Sequence, residues 1–96
     1  MRTKVTFRHL KSIPELHEAA IDASEKFGKF HPAIISTDTI FTHDIQNIVE
    51  FTVKYDGGTV VAKESSEDFY KSLNEASDKI IRQLQKAKTK SNSHVA

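Results

Sequence analysis

Cysteine and tryptophan are absent from this 96-residue sequence, which also contains only three glycines and two prolines. The lack of cysteine excludes disulfides and thiolate metal sites, and it is typical of proteins that fold in a reducing cytosol. No apolar run approaches the length needed to span a bilayer, and the first residues form no signal-peptide core. We therefore expect a cytoplasmic protein with no membrane partner and one modest core.

Motifs for catalysis and cofactor binding are also scarce. The five histidines are scattered without metal-ligand spacing, so the sequence predicts no metal site. The glycines fall at a helix end and a turn, which leaves no loop to cradle a phosphate. Asp38, Asp44 and Glu50 could supply an acid–base pair, but solvated charges on strands explain them more simply. We predict a protein that is not an enzyme and has no cofactor and no small-molecule substrate.

Charge is unevenly distributed along the chain. Residues 79–90 hold five basic and no acidic residues, whereas residues 1–78 hold nine basic and all thirteen acidic residues. Two explanations are open at this point. Basic residues near a helix end can simply be solvated and favoured by the helix macrodipole. Alternatively, the basic segment binds a polyanion.

The first third of the chain predicts a strand followed by a helix. Apolar and basic residues alternate in "RTKVTFR", which is typical of a half-buried strand. Ser12 and Glu15 are spaced as a capping box, and Pro14 suits the first helical turn. Gly28 and Pro32 are expected to end the helix. Apolar residues at helical spacing form its buried stripe: Leu16, Ala20, Ala23, Phe27 and Phe30.

The remainder predicts three strands and a second helix. Two extended segments, residues 34–42 and 47–55, precede "YDGGTVVAK", in which Asp-Gly favours a hairpin with a type I′ turn. That register pairs Val53 with Val60, Phe51 with Ala62 and Glu50 with Lys63. A cap in "SSED" begins the last helix. Its apolar stripe is Phe69, Leu73, Ala76, Ile80, Leu84 and Ala87.

The element order is therefore βαβββα. The strand–helix–strand crossover predicts a parallel first pair of strands and a right-handed connection. Since each helix is apolar on one side only, both should cover the same face of the sheet. The predicted fold is an α+β two-layer sandwich, with a four-stranded mixed sheet and two helices packed on one face.

The basic residues of the last helix favour the second explanation of the charge. Lys79, Arg82, Lys86 and Lys90 recur at steps of three and four residues, so they share one helix face without an acidic residue between them. Such a row repels itself by a few tenths of a kcal/mol for each like-charged pair one turn apart, about 0.2–0.5 kcal/mol. Binding to nucleic-acid phosphates removes this conflict and releases condensed counterions.

The carboxy-terminal half resembles the ribosome hibernation promoting factor and ribosome-associated inhibitor A family. The resemblance covers about residues 3–90 and is strongest in "IVEFTVKYDGGTVVAKESSEDFYKSLNEASDKIIRQLQKAKTK". Glu67, Asp68 and Tyr70 match the family's opening of the last helix. The close of that helix is matched by Asp78, Lys79, Arg82, Gln83, Leu84, Lys86, Lys88 and Lys90.

The resemblance implies a ribosome hibernation factor. Family members bind the small ribosomal subunit in the channel for messenger and transfer RNA, and they silence translation in stationary phase or stress. Their fold is the same βαβββα sandwich. Steric occlusion is the implied mechanism. The alternative is a protein-interaction module that modulates an alternative sigma factor, docking through a sheet face or an edge strand.

The expected rRNA-binding residues extend the basic row to other elements. They are Lys79, Arg82, Lys86, Lys88, Lys90, Arg8, His9, Lys26 and Lys29. Tyr70 could stack on a base, although packing at the helix start explains it as well. Residues 1–90 are expected to form the ribosome-binding domain, and residues 91–96 a short flexible tail. Because that tail is short, the sequence resembles the short members that act with a separate ribosome-dimerising factor.

Overall fold

The computed structural model describes the backbone of residues 1–93 and the side chains of residues 1–88. Six elements follow one another in the predicted order. They are β1 (Arg2–Arg8), α1 (Pro14–Phe27), β2 (Ile34–His43), β3 (Asn47–Tyr55), β4 (Gly58–Ser66) and α2 (Phe69–Ser93). Among residues 1–93, no helix is long and apolar enough to cross a membrane.

The four strands form one mixed sheet in the order β1-β2-β3-β4. β1 and β2 are parallel, and the two following pairs are antiparallel. β1, β2 and β4 therefore run in one direction. Because α1 follows β1 and α2 follows β4, both helices start at the same end of the sheet and run back along it. The predicted α+β sandwich, with its mixed sheet, is confirmed.

The core lies between the sheet and the two helices. Phe41 and Phe51 on the sheet and Phe27 on α1 are fully buried, and the Phe27 and Phe51 rings meet edge to face at 5.1 Å. Ile80 and Leu84 bring the stripe of α2 onto the same layer. The other sheet face carries the alternate residues of each strand, so it is open to solvent.

The start of α1 differs from the predicted capping box. The helix begins at Pro14, and Ile13 occupies the N-cap position without a side-chain hydrogen bond. Pro14 at the first helical position places Ser12 one residue too early to cap, and it places Glu15 one residue too early to reach back. The predicted cap is therefore wrong. The predicted helix and its buried stripe from Leu16 to Phe27 are confirmed, whereas Phe30 lies after the end of the helix and is only half-buried.

The β3–β4 hairpin has the predicted register but a different turn. Val53 pairs with Val60, and Glu50 pairs with Lys63, as expected. A type I′ turn needs positive φ at both central residues, and here only Gly57 has one, at 115°. The alternation of buried and exposed side chains fixes the pairing without that turn.

α2 starts at the predicted cap. Asp68 Oδ1 accepts a hydrogen bond of 2.9 Å from the Tyr70 backbone N–H, which satisfies a free donor of the first turn. The 25 residues of the helix span about 37 Å. It extends to Ser93, into the segment expected to be a tail, and residues 94–96 lie outside the described part. The division into a domain and a flexible tail stays a prediction.

Candidate nucleic-acid interface

One flank of α2 lies along the edge strand β4. Lys79 forms an ion pair with Glu64 of that strand. One turn further, Gln83 Nε2 donates a hydrogen bond of 2.9 Å to the Val61 carbonyl oxygen. Lys86 then borders a shallow cavity of about 260 Å³ over the β3–β4 hairpin. Lys79 and Gln83 therefore tie the first part of this flank of α2 to β4. The flank beyond them forms no ion pair with the sheet among the described side chains.

The ion pair adds to the row a compensating carboxylate that comes from another element and that the helix sequence alone does not show. Glu64 is distant in sequence but lies opposite Lys79 once α2 packs on β4. A signal for this was present, because Glu64 continues the period-two series of Val60 and Ala62, which faces the helices. The carboxylate therefore projects toward α2 and not toward the open face of the sheet.

The other basic residues of α2 lie on different sides of its second half. Arg82, Lys86 and Lys88 are exposed, and none of them forms an ion pair among the described side chains. Lys88 is nine residues from Lys79, so it projects about half a turn away, on the flank nearer α1. We call Lys79, Arg82, Lys86 and Lys88 the basic half-helix. The side chain of Lys90 lies outside the described residues.

Lys26 and Lys29 lie at the end of α1. Lys26 is in its last turn, beside the groove between the two helices, and Lys29 follows the helix. Both are exposed. Because the helices run in the same direction, the end of α1 lies on the side of the molecule toward which the basic half-helix runs. The structure therefore brings these two lysines to the same end as that cluster.

Arg8 and His9 lie at the opposite end. Arg8 is paired with Thr42, near the end of β2, where both helices begin. His9 follows with a left-handed backbone, φ 63°, which turns the chain out of the strand. Both side chains are exposed. Arg8 and His9 are therefore not part of the same surface as the basic half-helix. The two groups lie at opposite ends of the helical layer.

The helix macrodipole explains only part of this charge. Its effect on a side chain is confined to the last turn of a helix. Since α2 ends at Ser93, Lys79, Arg82 and Lys86 all lie more than one turn before its end. The macrodipole therefore does not offset the mutual repulsion of these three side chains. Lys79 is ion-paired with Glu64, and Arg82 and Lys86 form no ion pair among the described side chains.

The chain is a small α+β protein of βαβββα order, with exposed basic residues along its last helix. The profile of the family described as Sigma 54 modulation protein / S30EA ribosomal protein matches residues 3–92. The chain belongs to this family. Its members are non-enzymatic binding proteins, so this chain is a binding protein and not an enzyme.

Two curated relatives span almost the whole chain. Ribosome-associated factor Y of Haemophilus influenzae is 29% identical over 97 residues, covering 100% of this chain and 91% of its own. Ribosome hibernation promoting factor of Pseudomonas putida is 28% identical over 94 residues, covering 97% of this chain and 92% of its own.

Two solved structures share the fold. The ribosomal subunit interface protein from Coxiella burnetii superposes with a TM-score of 0.80 at 27% identity, covering 93% of this chain and 99% of its own. The N-terminal domain of Thermus thermophilus Protein Y superposes with a TM-score of 0.82 at 17% identity, covering 90% of this chain and 98% of its own. At that identity, the second likeness shows the fold alone.

Proposed function

We propose that this protein is a ribosome hibernation factor. It binds the small ribosomal subunit in the channel for messenger and transfer RNA and silences translation by occupying that space. The observation that carries the proposal is the basic half-helix, whose Arg82 and Lys86 lie free on an exposed flank of α2. The names of the two curated relatives, one ribosome-associated and one for ribosome hibernation, support a ribosomal partner.

The chemistry of the partner follows from these side chains. Lysine and arginine bind phosphate oxygens, and such contacts position a protein on RNA without reading its sequence. Selectivity for one site on a ribosome then comes from the shape of folded RNA and from several simultaneous contacts. A rigid helix about 37 Å long, held along a sheet, presents such contacts in a fixed arrangement.

The predicted residues divide into two contact regions under this proposal. The basic half-helix, Lys90, Lys26 and Lys29 form the first, toward the end of the helices. Arg8 and His9 form a second at the other end. A molecule with a longest dimension of 48 Å can reach two separate parts of a channel. Occlusion needs no bond to form or break, which agrees with a non-enzymatic family.

The proposal also gives the cellular setting. Ribosomes translate in the cytoplasm, so the protein acts there, in stationary phase or stress. A separate ribosome-dimerising factor is proposed as a further partner. Modulation of a sigma factor is not favoured, because the relatives above are named for association with ribosomes.

Cosedimentation tests the proposal. Protein from stationary-phase lysate should migrate with small subunits at low magnesium and with whole ribosomes at high magnesium. Replacing Lys79, Arg82 and Lys86 together by Gln should move it to the top of the gradient.

The matched control replaces Lys4, Lys54 and Lys63 by Gln, because these exposed lysines lie on the open face of the sheet and the net charge changes equally. The control should stay with the ribosomal fractions. If both variants bind like the parent protein, the basic half-helix is only a solvated surface.

A further inference from the structure

An apolar groove lies at the end of the molecule where both helices begin. Its volume is about 370 Å³, within the usual range of ligand pockets. Ile13 and Phe69, both half-buried, form its floor, and the ring of Tyr70, which is 47% exposed, borders it. The proposed contacts with RNA make no use of this apolar surface.

Hydrogen bonding and core packing hold the walls of the groove in place. Asn47 Nδ2 donates a hydrogen bond of 3.1 Å to the Glu67 carbonyl oxygen, which joins the start of β3 to the residues before α2. The Phe69 ring packs edge to face on the core residue Phe41, with 5.6 Å between the ring centroids. The groove is therefore preformed, and binding requires no ordering of its walls.

The rim of the groove is acidic. Its carboxylates are Glu15 of α1 and Glu67 and Asp68 before α2, and no basic side chain of the described part of the chain lines it. None of the three carboxylates forms an ion pair among residues 1–88. Exposed carboxylates do not make a site by themselves. Around an apolar floor, however, they select the occupant, because they repel RNA phosphates and attract cations.

A second apolar feature lies at the same end of the molecule. Ile45, in the turn between β2 and β3, is 97% exposed, at a position where turns usually carry Gly, Asn, Asp or Ser. Asn47, two residues later, lines the groove. Exposed apolar groups surrounded by a polar rim are typical of a surface that contacts another protein.

A second copy of this chain matches the groove less well than a different protein. In a symmetric pair, each copy brings the same surface to the other, so acidic rims would face each other. In a head-to-tail contact, the basic half-helix would enter the groove of the next copy, and the array would stay open-ended unless its rotation closed a ring. The matching occupant is therefore a basic segment of another protein.

We propose that this groove binds an extended basic segment of another protein through one apolar side chain. That side chain packs on Ile13 and Phe69, and the lysines or arginines beside it pair with the acidic rim. Such recognition combines an apolar anchor in a pocket with charges around it. The inference goes beyond the proposed function, because it adds a protein contact at the end opposite the basic half-helix and depends on the groove alone.

Synthetic peptides test the inference directly. The full chain is titrated at low salt with three fluorescein-labelled peptides: GKRFRKG, GKRSRKG without the apolar side chain, and GEDFDEG with reversed charge. Fluorescence anisotropy should show binding of GKRFRKG and none of GEDFDEG. We expect GKRSRKG to bind about tenfold more weakly than GKRFRKG, the usual effect of losing one large buried apolar side chain.

Nuclear magnetic resonance locates the bound peptide. When unlabelled GKRFRKG is added to ¹⁵N-labelled protein, the amide signals of Ile13, Asn47 and Phe69 should shift, because these residues line the groove. The signals of Lys79 and Lys86 on the other half of α2 should stay in place. Shifts on the basic half-helix without shifts at the groove would contradict the inference.

Paired substitutions separate the acidic rim from net charge. Glu15→Gln combined with Glu67→Gln should weaken the binding of GKRFRKG about threefold or more, since two rim charges are lost. The matched control combines Glu18→Gln with Glu25→Gln, two exposed residues of α1 outside the groove, and should keep the parent affinity. Circular dichroism of each variant verifies the fold.

Several results would overturn the inference. Equal binding of GKRFRKG and GKRSRKG, or equal losses in the two paired variants, would mean that charge alone attracts the peptide. If the RNA 5′-UUUUU shifts the groove signals instead, the occupant is RNA. If sedimentation shows an oligomer that Glu15→Gln with Glu67→Gln dissociates, the occupant is a second copy. No ribosome enters these measurements, so their outcome is independent of the cosedimentation that tests the proposed function.

Discussion

Lys79 of α2 is ion-paired with Glu64 of β4, across the flank where the helix meets the edge strand. The Lys79 side chain is 53% exposed, so the pair is worth little to stability, about 0.2–1 kcal/mol. In the proposed complex with RNA, Glu64 competes with phosphate for the first cation of the basic half-helix. An RNA ligand must share Lys79 with this carboxylate or displace it.

Glu64→Gln should therefore strengthen binding to small subunits by a few-fold. The variant frees Lys79 and removes a negative charge, while unfolding in urea should change by less than about 1 kcal/mol. The control is Glu50→Gln, which also lies opposite a lysine, Lys63, but on the open face of the sheet. If Glu50→Gln strengthens binding as much, the gain reflects net charge and not the release of Lys79.

The salt dependence of binding should identify phosphate contacts. Log affinity for purified small subunits should fall linearly with log salt, and each phosphate contact should contribute about 0.7–0.9 to the slope. Replacing Lys79, Arg82 and Lys86 by Gln should lower the slope by about two to three units. The Lys4, Lys54 and Lys63 triple variant should keep the parent slope. Equal slopes for the parent and the first variant would show that these side chains do not contact phosphate.

Arg8 and Lys86 should act independently, because the structure places them at opposite ends of the helical layer. Arg8→Gln and Lys86→Gln should each weaken binding, and their effects in the double variant should add to within about 0.5 kcal/mol. The measurement is a double-mutant cycle on small-subunit affinity. A strong interaction energy would contradict the separation into two contact regions, and no effect of Arg8→Gln would remove the second region.

The two residues that the sequence predicts as helix caps, Asp68 and Ser12, should respond differently to substitution. Asp68→Ala removes the hydrogen bond to the Tyr70 N–H and should lower the free energy of unfolding by about 1 kcal/mol. Ser12→Ala removes no capping bond, because Ile13 holds the N-cap position, and should stay within about 0.5 kcal/mol of the parent. Urea unfolding of both variants provides the comparison. A large loss for Ser12→Ala would restore the capping box that the structure does not show.

Much of the fold could be predicted from local patterns. The 3.6-residue period placed Leu73, Ile80 and Leu84 on the buried side of α2, and the two-residue period set the β3–β4 register. These patterns are reliable because each depends on which face of one element avoids water. The start of α1 could not be predicted as well, because Pro14 and Ser12 favour starts one residue apart, and proline prevailed.

The sequence by itself determined the element order, the buried faces and the concentration of basic charge on the last helix. Only the tertiary structure decided which charges meet. It paired Lys79 with Glu64, separated Arg8 from Lys86, and brought Asp22 of α1 and Asp78 of α2 to the same groove. The physical reason is that periodicity fixes the face of a residue within its own element, whereas neighbours on other elements depend on the direction and packing of whole helices. Here that packing is set by the shared core of Phe27, Phe51 and Ile80.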